Sequence, residues 1–118
     1  MYLENINSPA DVKAVGIDKL DILAGEVRKH LLQKLSDHGG HIGPNLGMVE
    51  ATVALHYVFN SPIDKMVFDV SHQSYAHKML TGRKDAFLNP AEYDEVSGYT
   101  EPSESEHDQF VVLQRDAT

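Results

Sequence analysis

The chain has 118 residues, the length of one small domain, with 42% hydrophobic content and a formal net charge of −8. Duplex nucleic acids and anionic membrane surfaces select basic faces, so the acidic balance argues against both as partners. Cysteine is absent, which excludes disulfides and thiolate metal sites.

Met1-Tyr2-Leu3-Glu4 lacks the basic and apolar regions of a signal peptide. No apolar run approaches the roughly 18 residues that would span a bilayer. The chain therefore reads as soluble and cytoplasmic. Residues 1 to 16 read as an irregular arm, with one helical turn for which Ser8 is the N-cap and Pro9 the first residue. Residues 17 to 37 carry the clearest periodicity. Leu20, Leu23, Ala24, Val27, Leu31 and Leu35 fall on one helical face, while Asp18, Asp21, Glu26, Lys29 and Lys34 occupy much of the rest. Gly39-Gly40 is a natural stop, because glycine accepts the left-handed conformation that ends helices.

Asn45 is the expected cap of a second helix running to about Phe59. Apolar residues occur nearly all round it, which predicts burial. After a turn at "NSPID", the stretch "KMVFDV" (65 to 70) reads as a short buried strand, parallel to its neighbours. A third helix is expected from near Gln73 to Thr81-Gly82. Residues 83 to 109 are polar and broken by prolines and Gly98, so they read as loop. Phe110-Val111-Val112-Leu113 is a candidate second strand. Helices alternating with short apolar strands predict a helix-rich α/β architecture with about two parallel strands, an incomplete sheet.

Seven histidines are many for this length. In "GGHIGPNLG" (39 to 47), glycines would let a ligand approach the backbone, and a helix starting near Asn45 would offer free N–H groups to an anion. His41 could transfer a proton near neutral pH. The P-loop ending and the GxGxxG spacing are both missing, so an interhelix loop with an exposed histidine accounts for the same residues. In "FDVSHQSYAHK" (68 to 78), Ser71, His72, Gln73, Ser74 and Tyr75 follow the end of a strand, where open α/β sheets bind ligands. A strand-to-helix connection capped by Ser71 or Ser74 is the alternative. His72 and His77 are five apart and would not share a helical face. Two glycines separate His38 from His41, and there is no HExxH, so a zinc site is disfavoured. His30 lies on the polar side of its helix, where it should be solvated, and His56 reads as a packed, hydrogen-bonded histidine. Glu101, Glu104, Glu106 and Asp108 read as a solvated loop, with cation binding as the alternative.

Taken in order, "INSPADVKAV", "GGHIGPNLGMVEATVALHYVFNSPIDK", "FDVSHQSYAHKMLTGRKDAF" and "SGYTEPSESEHD" resemble the N-terminus of the 1-deoxy-D-xylulose-5-phosphate synthases. These are thiamine-diphosphate enzymes of the transketolase superfamily. The resemblance runs nearly the whole chain and implies residues 1 to 118 are one partial N-terminal, diphosphate-side domain. It implies a transferase of isoprenoid precursor biosynthesis that joins pyruvate to glyceraldehyde 3-phosphate with loss of carbon dioxide. It also implies magnesium as a second cofactor and a homo-oligomer, a dimer. The position matching His41 faces the reacting centre in the family, and the position matching His72 contacts thiamine diphosphate. No metal ligand is carried over.

The chain also departs from the family pattern. Ser71 stands where the family usually has glycine, and Ala76 where it has proline. After Val112 the chain reads Leu113-Gln114-Arg115-Asp116-Ala117-Thr118 in place of a Gly-His-x-Ser stretch, and the Gly-Asp-Gly magnesium motif is absent from the 118 residues. The expectation is a fragment that retains neither cofactor nor activity by itself. The alternative is a non-catalytic, self-associating module of the transketolase fold, pairing through an open sheet edge.

Overall fold

The computed structural model describes residues 1–39, 42–68 and 73–109. The arm begins with a 3-10 turn, Leu3–Asn5, followed by α1, Pro9–Ala14. Ser8 is the N-cap and Pro9 follows it, as expected. The Asp11 carboxylate reaches back to accept the N–H groups of Asn7 and Ser8 at 2.8 and 3.1 Å, satisfying donors the helix leaves free. The arm is better ordered than its sequence suggests. Leu3, Ile6 and Val12 are buried in the core, and the Leu3 N–H donates to Glu26 at 2.8 Å.

A 3-10 turn at Ile17–Lys19 leads into α2, Leu20–His38, the central helix. Its apolar stripe is the core face: Leu23, Ala24, Val27, Leu31 and Leu35 are buried and Leu20 partly so. Gly39 ends it at φ 90°, a conformation costly for any residue with a Cβ. Lys34 departs from the expected polar face. It is 1% exposed, with its ammonium 4.2 Å from the Phe87 ring centroid, 4.9 Å from Tyr75 and 5.6 Å from Tyr93. Burial, and then the charge of Lys78, push its pKa down to about 8. The three ring faces and the Ala86 carbonyl at 3.3 Å are what offset the lost hydration.

The second helix is two helices. α3 spans Ile42–Gly47 and α4 spans Val49–Val58, separated by a turn at Met48. Asn45 is inside α3 and does not cap it. Pro44 falls in the first turn, where no intrahelical N–H is needed, so the helix can start before Asn45. Gly47 then weakens continuity. Burial of α4 is also narrower than expected. Val49, Thr52, Val53 and His56 are buried, while Ala51, Ala54, Val58 and Phe59 are exposed. Lys13 of α1 donates to the carbonyls of His56, at 2.6 Å, and Phe59, closing the end of α4 with a cation where the helix dipole is negative.

Residues 65–68 alternate as a half-buried strand would, with Met66 and Phe68 inside and Lys65 and Val67 outside. No β-ladder forms among the described residues. Asp69, Val70 and the whole candidate strand at 110 to 113 lie outside them, so the two-strand expectation rests on sequence. α5, Tyr75–Leu80, closes with Thr81 and then Gly82 at φ 100°, where a Cβ would also meet the Asn7 carbonyl at 3.3 Å. Ala76 is the second residue of α5, a position open to both proline and alanine, so this departure leaves the helix in place.

The predicted loop at 83 to 109 is a correction. It contains α6, Asp85–Leu88, and a 3-10 segment, Pro90–Glu95. Ala86, Phe87 and Tyr93 from these turns are buried, Ala86 and Phe87 in the main core. Their apolar pairs are too short to show a period, and the flanking polar residues mask them.

Candidate functional site

His41, the expected catalytic residue, and His72, the expected cofactor contact, lie outside the described residues, as does Ser71. Their immediate neighbours are described. Residues 40 and 41 join the end of α2 to α3, and residues 69–72 join Phe68 to Gln73. Asn45 of α3 is buried, and its Oδ1 accepts the N–H of Tyr75, the first residue of α5, at 3.2 Å. This bond fastens the helix that follows His41 to the helix that follows His72. An open cleft of about 440 Å³ lies beside them, lined by Met48, Leu55, Phe59, Met66, Phe68 and Gln73 among others.

Below these helix starts is a buried polar network that sequence reading missed. His56 of α4 and His77 of α5 are both fully buried, with His56 Nε2 2.8 Å from His77 Nδ1. His77 Nε2 lies 3.1 Å from Asp108 Oδ1. Arg83 donates to both Asp108 oxygens, at 2.7 and 2.8 Å, and the Glu101 N–H donates to Oδ2 at 2.8 Å. Arg83 also donates to Glu104 at 2.9 Å, and Lys78, fully buried, donates to the same Glu104 oxygen at 2.9 Å and to the Ser97 carbonyl at 2.7 Å.

The charges follow from these partners. Burial alone would raise the Asp108 carboxyl, but Arg83 and His77 hold it well below the usual carboxylate range. Burial would likewise raise Glu104, and Lys78 outweighs it. Burial pushes His56 down to about 3, reinforced by His77 and His107, so the ring is neutral at physiological pH.

Within the acidic run, Glu106 is exposed as a solvated loop would have it, whereas Glu104 and Asp108 turn inward to the network. Glu104 and Asp108 already hold Lys78 and Arg83, and among the described residues no group of three or more His, Asp or Glu side chains is placed to hold a metal. His56 is packed and hydrogen-bonded, as expected. His30 is half-buried rather than solvated, with burial and then Lys29 lowering its pKa. The side chain of His38 lies outside the described residues. The available signal for the network was Lys78 and Arg83 flanking the apolar Met79-Leu80, matched by Glu104 and Asp108 one helical step apart.

Comparison with known proteins decides what these elements belong to. The profile of a family described as 1-deoxy-D-xylulose-5-phosphate synthase matches residues 3–115. The chain belongs to the 1-deoxy-D-xylulose-5-phosphate synthase family. It is 57% identical over 106 residues to the 1-deoxy-D-xylulose-5-phosphate synthase of Corynebacterium diphtheriae, covering 90% of this chain and 17% of that protein. It is 53% identical over 108 residues to that of Caldanaerobacter subterraneus subsp. tengcongensis, covering 92% of this chain and 17% of the relative. Against the synthase of Dictyoglomus thermophilum it is 47% identical over 112 residues, 95% of this chain and 18% of the relative. The chain therefore spans less than a fifth of the length of the curated relatives it matches. This synthase family depends on thiamine diphosphate. Among the described residues no helix is long and apolar enough to cross a membrane.

Proposed function

We propose that these residues are the N-terminal, diphosphate-side part of a cytoplasmic, homo-oligomeric synthase that joins pyruvate to glyceraldehyde 3-phosphate. The observation that supports this reading is the bond from Tyr75 to Asn45, which fastens the element after His41 to the element after His72. Thiamine diphosphate, when bound, supplies the electron sink for decarboxylation. His41 and His72 offer ring nitrogens and Ser71 a hydroxyl, a donor set that fits an organic diphosphate. It does not fit magnesium, which takes oxygen ligands. The carboxylates Glu104 and Asp108 are held by Lys78 and Arg83. Magnesium ligands are therefore not assigned to residues 1 to 118.

In this reading His72 would hold the diphosphate through a ring N–H and Ser71 would offer a hydroxyl to it, while His41 would serve the substrates. An imidazole with an unperturbed pKa near 6.5 can give a proton to a substrate oxygen and take it back at neutral pH. The test uses a chimera in which residues 3–115 replace the matching stretch of the Corynebacterium diphtheriae synthase. His41→Ala is expected to lower kcat by about 10²–10⁴-fold with little change in cofactor requirement, the usual span for a lost acid–base group. His72→Ala is expected to raise the cofactor concentration needed for half-maximal rate. Equal effects of the two on both parameters would sink the assignment.

A polypeptide of these 118 residues alone is expected to show no synthase turnover. Calorimetry with thiamine diphosphate and magnesium should give no micromolar binding, and clear micromolar heat would overturn this. The self-associating module is the second reading, favoured by an exposed apolar face at Val58, Phe59, Ile63 (83% exposed) and Val67. Light scattering that shows a clean monomer at high concentration would remove it.

A further inference from the structure

We propose that the apolar face formed by the end of α4, the 60–64 turn and residues 65–67 is a docking surface for the part of a synthase polypeptide that lies outside these 118 residues. The proposal rests on the reading of the chain as the N-terminal part of such an enzyme. The occupant is an extended apolar segment that pairs with Met66 and Val67 and fills the neighbouring cleft. Phe59 and Val67 are large, exposed apolar side chains, and both also line the cleft of about 440 Å³ with Met48, Leu55, Met66 and Phe68. Patch and cleft are therefore one surface. Val58, beside Phe59, and Ile63, in the turn, add further exposed apolar side chains. Single exposed apolar residues are ordinary, whereas several on one surface beside a cleft mark an interaction site.

The face is held in shape by its own bonds. The Asp64 N–H donates to the Asn60 carbonyl at 2.7 Å, and the Asn60 N–H donates to the Asp64 carboxylate at 2.8 Å. Ser61 of the same turn is tied to His107 at 2.8 Å. The stretch that follows has the alternation of a strand, with Met66 inside and Val67 outside. Met66 and Val67 nevertheless enter no backbone hydrogen bond among the described residues. Unpaired backbone beside an apolar surface accepts an added strand: the N–H and C=O groups pair while alternate side chains enter pockets. A second copy is the weaker occupant, because each copy carries a formal charge of −8 and the two repel. The chain spans only 17% of the Corynebacterium diphtheriae and Caldanaerobacter subterraneus subsp. tengcongensis synthases. In such a polypeptide the remainder is joined covalently to this face, and its high effective concentration favours occupancy over any free partner.

Hydrogen exchange of peptides spanning residues 58–68 tests the proposal, in the 118-residue chain and in the chimera that carries residues 3–115 in the Corynebacterium diphtheriae synthase. Peptides from α2 are the folded reference in both. In the chain alone the 65–67 amides should exchange fast at every concentration. In the chimera they should slow by about 100-fold or more, as amides paired within a cooperative unit do. Ile63→Ser and Val67→Ser should leave the urea midpoint of the chain alone unchanged and lower that of the chimera. Exchange of 65–67 at the same rate in both folded proteins would overturn the proposal. Slowing in the chain alone as its concentration rises would assign the face to a second copy and overturn it too. If α2 is unprotected in the chain alone, the chimera variants decide, and substitutions that leave its midpoint unchanged sink the idea. A chimera that fails to fold in both the Corynebacterium and the Caldanaerobacter hosts contradicts the fit. A chimera that protects 65–67 but shows no cofactor-dependent turnover supports the docking and counts against the catalytic reading instead.

Discussion

Asp108→Ala is expected to cost about 3–5 kcal/mol, the range for removing one partner of a buried ion pair. The carboxylate is 4% exposed and accepts from Arg83 twice, from His77 and from the Glu101 backbone. Removing it strips Arg83 of one of its two carboxylate partners and leaves the His77 Nε2–H with only the His107 carbonyl at 3.1 Å. A domain of this size has a total stability of only about 5–15 kcal/mol, so the loss is a large part of it. Asp108→Asn keeps the volume and an acceptor and should cost less. Urea unfolding followed by circular dichroism measures both. A loss under 1 kcal/mol for the alanine variant would show that the network is not a structural keystone.

Stability is also expected to fall steeply in mild acid, in two stages. The folded pKa of His56 is depressed to about 3 from an ordinary 6.5. Between those values the unfolded chain binds a proton that the folded chain does not, so stability rises with pH across the window. The contribution is fully present above 6.5 and is lost as pH falls, approaching about 1.4 kcal/mol per pH unit. At pH 5 that amounts to roughly 2 kcal/mol. His107 and His30, also pushed down by burial, act in the same direction. Asp108 and Glu104, held below their ordinary 3.8 and 4.5, add a second stage as pH drops through and below the carboxylate range. Urea midpoints at pH 7.5, 6 and 5 should fall in that order, and His56→Phe should flatten most of the slope. An unchanged midpoint from pH 7.5 to 5 would contradict a neutral buried His56.

The parts of the fold legible in the sequence are those with long, regular periods. The α2 stripe from Leu20 to Leu35 and its stop at Gly39 could be read directly, because nineteen residues give several turns of evidence. The break at Met48 could not, since Pro44 and Gly47 act over single turns and Asn45 serves both caps and tertiary bonds. Lys34 reads as solvated by type, and its burial is made tolerable by the aromatic side chains of three later segments and the Ala86 carbonyl. The network among His77, Arg83, Glu104 and Asp108 joins residues 21 to 31 positions apart, beyond any local pattern. Of the candidate site, the glycines and histidines only suggest the two loops, whose residues 40–41 and 69–72 lie outside the described ones, and the bond joining the helices after them depends on tertiary folding.

The most direct test of the account is cofactor-dependent turnover in the chimera that carries residues 3–115 in the Corynebacterium diphtheriae synthase. Pyruvate and glyceraldehyde 3-phosphate are supplied with and without thiamine diphosphate, and carbon dioxide release is measured. Turnover is expected with the cofactor and none without it, with a fall of about 10²–10⁴-fold in His41→Ala. A chimera that folds, by circular dichroism and size, yet releases no carbon dioxide at saturating thiamine diphosphate would contradict it.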